Sequence, residues 1–169
     1  MNRILLDKNI VRYWTIALLK LATDQPLLPL QKQALVLVQS FSDLCISQEL
    51  YHILTKRVQL PQIVPLILNR VQILYPSKYF KRWVRRIQET TSLTREDAAI
   101  LAYGTFSTTT QGIILGVNTI VTTDKKFVAE YLQQRKKLRT RLKAITQNLE
   151  TPWDEVSLPE MRLIQGKGV

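Results

Sequence analysis

Three short strand-like runs, two apolar and one β-rich, each closed by a polar or acidic residue, constrain this chain more than any other feature. Ile4-Leu5-Leu6 ends at Asp7, Leu44-Cys45-Ile46 ends at Ser47, and Asn118-Thr119-Ile120-Val121-Thr122-Thr123 ends at Asp124. A strand buried on both faces reads as such a run, because neither side-chain direction meets water. Val71-Gln72-Ile73-Leu74-Tyr75 alternates before Pro76 and is a further strand candidate. Helical spacing fills the stretches between. After Asp7, the residues Ile10, Tyr13, Trp14, Ala17, Leu18 and Leu21 recur on one face of a helix over residues 9–23.

Asp24-Gln25-Pro26 and Pro29 interrupt, and a second apolar helix follows over residues 30–41. Residues 48–57 read as a helix, and residues 60–69 as another, bent or started late by Pro65. Residues 78–89 form a helix with a strongly basic face. Thr94 is a candidate N-cap with Asp97 three residues on, heading a helix to about residue 106. Residues 125–148 read as a basic helix, either continuous or broken once. No Pro/Gly/Ser linker or internal repeat divides the pattern. Strands alternating with helices predict an α/β fold with a mainly parallel central sheet covered by helices on both faces. Residues 1–150 fall to one domain, and residues 151–169, with Pro152 and Pro159, to a tail either loosely packed or added at an edge.

The residue inventory excludes much enzyme chemistry. One cysteine rules out an internal disulfide framework and a cysteine-rich zinc site. One histidine rules out HExxH, and a Ser/His/Asp triad would have to use His52. The five glycines contain neither GxGxxG nor a P-loop. Carboxylate and metal chemistry survives. In parallel sheets the chemistry sits beyond the carboxyl ends of the strands, where strand order reverses. Asp7 and Asp124 stand at such ends, and Asp97 in the first turn of a helix. Magnesium or manganese wants hard oxygen ligands, usually one or two carboxylates with water filling the rest. Any one of these acids alone reads better as a helix cap or dipole complement. Three together, each at a strand end or helix start, point to a site.

These same residues carry a family resemblance. Ile4-Leu5-Leu6-Asp7-Lys8-Asn9-Ile10-Val11 resembles the opening strand of a PIN domain, where an Asp is followed two residues later by Asn or Ser. Leu93-Thr94-Arg95-Glu96-Asp97-Ala98-Ala99-Ile100-Leu101-Ala102 resembles that family's Asp-Ala-x-Ile-x-Ala helix, and Ile120-Val121-Thr122-Thr123-Asp124-Lys125-Lys126-Phe127 its closing strand and turn. The three matches keep the family's order and span residues 3 to about 130. The resemblance implies that residues 1–150 are a three-layer α/β/α sandwich. It also implies an Mg2+- or Mn2+-dependent ribonuclease, of the kind that serves as the toxin of a toxin–antitoxin pair. Asp7, Asp97 and Asp124 would hold the metal or its water, with Asn9, Ser47 and Thr123 as polar support. The family usually adds an acid, commonly Glu, in the helix after the second strand. Glu49 is the only acid there but comes early, and the register can instead place His52 at that position. Lys8 stands where Thr or Ser is commoner. These departures leave open a catalytically weakened RNA- or protein-binding module.

The chain carries 24 Lys and Arg against 13 Asp and Glu, a net charge of +11 that attracts an anionic partner. Lys78, Lys81, Arg82, Arg85 and Arg86 fall at helical spacing among Tyr79, Phe80 and Trp83. Arg135, Lys136, Lys137, Arg139, Arg141 and Lys143 form a second cluster. Such flanks suit RNA, since phosphate contacts supply most non-specific affinity and arginine stacks on unpaired bases. They equally suit a solvated face with aromatics turned inward, which is the better reading for Trp83. Ser47 reads first as a helix cap, and Cys45 as an inert core residue. An antitoxin-like protein and a second copy of the chain are further candidate partners. Residues 98–123 are uncharged, yet Ser107-Thr108-Thr109-Thr110-Gln111-Gly112 at their centre argues against a membrane span. Asp7 and Lys8 argue against a signal peptide, so the expectation is a cytoplasmic protein.

Overall fold

The computed structural model describes residues 2–56, 60–112 and 114–166. Strand β1 (Ile4–Leu6) is followed by helices α1 (Lys8–Ala22) and α2 (Pro29–Ser40) and by β2 (Leu44–Ser47). Helices α3 (Gln48–Thr55) and α4 (Val64–Leu68) lead to β3 (Val71–Pro76). Next come α5 (Phe80–Thr90), α6 (Arg95–Tyr103), and the two-residue strands β4 (Ser107–Thr108) and β5 (Ile114–Leu115). Strand β6 (Thr119–Thr122), helix α7 (Lys125–Thr146), a 3-10 turn at Trp153–Glu155 and β7 (Glu160–Leu163) complete the described elements.

The described strands form a seven-stranded sheet in the order β5-β4-β3-β2-β1-β6-β7. Strands β3, β2, β1, β6 and β7 run parallel, while β4 and β5 add antiparallel at one edge. Leu5 sits opposite both Cys45 and Ile120 at the centre. The sequence steps from β1 to β2 to β3 in one direction, then returns to β6 and β7 on the other side. Strand order therefore reverses between β1 and β6, the position where an open α/β sheet leaves a crevice beyond its carboxyl ends.

Alternate strand residues feed two separate cores, as the two-residue period of a strand requires. Leu5, Cys45, Leu74 and Ile120 pack with Trp83, Ile87, Leu101, Tyr131 and Leu138 of helices α5, α6 and α7. Ile4, Leu6, Leu44, Ile46 and Val121 pack on the opposite face with Trp14, Leu37, Leu50 and Ile67 of helices α1 to α4. Helices thus cover both faces of a mainly parallel sheet, an α/β architecture of three layers.

The elements depart from the sequence expectations in particular places. Helix α4 starts late, with Pro65 in its first turn, where a missing N–H costs nothing. The end of the helix read over residues 48–57 lies, at Arg57, outside the described residues. Helix α6 stops at Tyr103 rather than near residue 106, because the chain at Gly104 presses against β6. A Cβ there would meet Ile120 Cδ1 at 2.9 Å. Helix α7 is continuous, its buried face running from Phe127 through Tyr131, Leu138 and Leu142 to Ile145. The uncharged stretch holds α6 and the β4–β5 pair, with Gly112 at φ +73° in the turn between them. Among the described residues no helix is long and apolar enough to cross a membrane. The tail adds an edge strand, β7, parallel to β6, and buries Trp153 and Ile164.

Candidate active site at the strand ends

Helices that begin where parallel strands end need their first N–H groups satisfied, and polar residues at the strand ends do this. Asp7 is buried and accepts the Lys8 N–H on Oδ1 at 2.8 Å. Ser47 accepts the Leu50 N–H at 3.2 Å, so its hydroxyl serves α3 as a cap. Asp124 accepts the Lys126 and Phe127 N–H groups at 3.0 and 3.1 Å, both on Oδ1. Thr94 caps α6 by accepting the Asp97 N–H at 3.1 Å.

One hydroxyl ties two of the acids together. Thr122, fully buried at the end of β6, donates to Asp7 Oδ2 at 2.7 Å across the β1–β6 junction. The Thr122 hydroxyl oxygen in turn accepts the Asp124 backbone N–H at 3.1 Å. Asp7 and Asp124 are therefore held in register by a bridge at the point where strand order reverses. The sequence reading singled out Thr123, which is only half-buried, rather than Thr122. Adjacent residues of a strand point to opposite faces, and Thr-Thr-Asp alone does not tell which threonine turns toward β1.

Electrostatics brings Asp97 into the same group. Burial first, then the charges of Asp124 and Asp7, push the Asp97 carboxyl up to about 6. Burial also raises the Asp7 carboxyl, against the opposing pull of its hydrogen bonds from Thr122 and Lys8. A carboxyl raised first by desolvation and then by two neighbouring carboxylates is what a partly buried anionic crevice produces. A cation of the chain itself enters that field. Lys8 Nζ stands 2.6 Å from Glu96 Oε1, joining α1 to the first turn of α6. Its ammonium is held protonated by Glu96 first and further by Asp7 and Asp97.

The other candidates lie elsewhere. Glu49 is exposed near the start of α3, beside the buried hydroxyl of Tyr103 on α6. Burial and then this carboxylate push the Tyr103 hydroxyl far above its ordinary value. That hydroxyl makes no hydrogen bond of good geometry among the described residues. Asn9 is half-buried and lines a groove of about 460 Å³ between α1 and α3 with Lys8, Arg12 and Leu54. His52 is exposed, its ring tilted 53° to that of Tyr51 with centroids 5.6 Å apart. Cys45 is fully buried, and desolvation pushes its thiol up to about 12.

The basic residues divide into engaged and open ones. Arg135 forks onto Glu160 of β7 with contacts of 3.1 and 2.6 Å and lies over the Tyr131 ring. Lys78 pairs with Glu150, which also accepts the Tyr79 hydroxyl at 2.7 Å. Arg86 pairs with Glu89 within α5 at 3.2 Å. Among the described residues Lys81, Arg82, Arg85, Lys136 and Lys137 make no ion pair within 4.0 Å and are exposed. Trp83 is fully buried, in the core.

The donor set, hard carboxylate oxygens whose charges oppose one another, suits a divalent cation chemically. Among the described residues, however, no group of three or more His, Cys, Asp or Glu side chains stands close enough to hold one jointly. Comparison with protein-family models, with curated proteins and with solved structures finds no match to this chain.

Proposed function

We propose that the chain is a PIN-like ribonuclease that hydrolyses phosphodiester bonds of single-stranded RNA with Mg2+ or Mn2+, for which Asp7, Asp97 and Asp124 would serve as ligands or hold the metal-bound water. The observation that carries this reading is the Thr122 bridge, which aligns Asp7 with Asp124 at the reversal of strand order beside Asp97. The PIN-like motifs along residues 3 to about 130 support it as a resemblance. One or two carboxylates would ligate directly and water would complete the shell, as is usual for magnesium. The chemistry that such an ion would supply is activation of a water and neutralisation of charge on the phosphate oxygens. Asp97, raised by burial and by Asp124 and Asp7, would gain most from a cation that offsets those charges. Asp7, clamped by two hydrogen bonds, keeps a fixed orientation. The exposed cations of α5 and α7 attract the polyanion that the acidic crevice alone would repel.

A second reading, an RNA- or protein-binding module with weakened catalysis, is favoured by one observation. Lys8 already supplies a positive charge to Glu96, Asp7 and Asp97, and no three-acid group is ready-made among the described residues. Incubating end-labelled single-stranded RNA with wild type and Asp7→Asn, in manganese and in chelator, separates the two. The nuclease reading requires manganese-dependent cleavage that the variant loses. RNA retention without cleavage by folded wild type selects the binding module.

A further inference from the structure

Two concavities on the α5–α7 layer share one residue. The first, about 550 Å³, is lined by Lys78, Lys81, Arg82, Arg85, Arg86 and Glu89 of α5 and the turn before it. The second, about 540 Å³, lies between the end of α5 and the middle of α7, lined by Glu89, Thr90, Lys136, Lys137, Thr140 and Arg141. Glu89 belongs to both, and its charge is already met by Arg86 at 3.2 Å. The unmatched charge along the joined surface is therefore positive throughout. We infer that this surface is a single tract for the phosphate backbone of single-stranded RNA, with Arg82 and Arg85 lining one stretch and Lys137 and Arg141 the next.

The tract's chemistry is phosphate recognition rather than base recognition. No aromatic ring is among its lining residues, so it offers no stacking platform for unpaired bases. Thr90 and Thr140 donate their hydroxyls to the Arg86 and Lys136 carbonyls of their own helices, so the cationic side chains are left to meet the phosphates. Binding there tolerates any sequence. Helix periodicity also relates the tract to the acidic crevice. Lys126, Glu130, Lys137 and Arg141 fall on one flank of α7, and Glu130 reaches the segment between α5 and α6 by accepting the Ser92 N–H at 3.1 Å. At 1.5 Å per residue, Lys137 stands about 20 Å along α7 from the Asp124 cap. A stacked strand, at 3.4 Å per nucleotide, needs about six nucleotides to cover that distance. The preferred ligand is accordingly a strand longer than this, anchored away from the bond that would be cut.

The inference rests on the reading of RNA as ligand but not on catalysis, so it is tested in chelator. Fluorescence anisotropy measures a labelled 12-nucleotide single strand against wild type and two double variants, over a series of salt concentrations. Lys137→Ala with Arg141→Ala strips two cations from one stretch of the tract. Lys32→Ala with Lys56→Ala removes the same charge from exposed positions on α2 and at the C-terminal cap of α3, in the opposite helix layer. The tract variant is expected to lose about tenfold in affinity. Its log–log salt slope should shrink by about 1.4, which is two single-strand phosphate contacts. The control variant should stay within about twofold of wild type. Uridine and adenosine 12-mers should bind alike, and a 4-mer should bind weakly to all three proteins. Equal losses in both double variants would show that overall charge is responsible and overturn the tract. An unchanged tract variant would do the same. If folded wild type binds no RNA at all, the RNA reading falls, and the tract with it.

Discussion

Replacing Asp97 by Asn keeps the shape of the side chain and its Thr94 cap but removes the charge that its neighbours oppose. The Asp97 carboxyl titrates at about 6 against an ordinary 3.8, with burial, Asp124 and Asp7 as the leading causes. At about 1.4 kcal/mol per unit this shift caps the penalty near 3 kcal/mol. The group is only partly buried, and solvent screening reduces that to about 1 kcal/mol. The sign follows from linkage. Because the folded-state value is raised, the folded protein binds this proton more readily than the unfolded chain. Stability from this group is full below about pH 4 and is lost as pH rises through about pH 6. Asn never ionises and escapes the loss. Thermal melts in chelator should therefore show Asp97→Asn melting about 2–4 °C above wild type near pH 7.5. The two proteins should converge near pH 4. A variant that is less stable near pH 7.5, or shifted equally at both pH values, would refute the shared anionic crevice.

Other substitutions test the parts around it. Thr122→Val keeps the volume but strands a buried Asp7 oxygen and the Asp124 N–H, and should cost about 1–3 kcal/mol in denaturant unfolding. Lys8→Met removes the chain's own cation from the acids, and should tighten manganese binding by calorimetry about tenfold, the direction expected from Coulomb interactions; weaker binding would show that Lys8 assists rather than competes. Cys45, buried with its thiol pushed up to about 12, should resist a thiol reagent at mildly alkaline pH until denaturant is added.

What could be read from the chain alone depended on how local its cause was. The central strands β1 and β2 announce themselves as short apolar runs because both faces are buried, β6 as a β-branched run, and Asp7, Ser47 and Asp124 mark their ends. Strands β4 and β5 are two residues long, too short for a period to show. Strand β7, Glu160-Met161-Arg162-Leu163, carries charge at the sheet edge and owes its conformation to pairing with β6. The acids of the crevice were legible because each closes a strand or opens a helix. The Thr122 bridge was not, since it joins residues 115 positions apart. The same holds for Arg135, whose pairing with Glu160 depends on where β7 packs. Glu49 beside Tyr103 likewise joins α3 to α6, a proximity that only the assembled sheet creates.

Manganese binding, followed by calorimetry on wild type, Asp97→Asn and Glu49→Gln, tests the central claim most directly. The account predicts that wild type and Glu49→Gln bind the ion with similar affinity, while Asp97→Asn loses it. Glu49 stands by Tyr103, and Asp97 stands with Asp7 and Asp124. No binding by folded wild type, or equal binding by all three proteins, would contradict it.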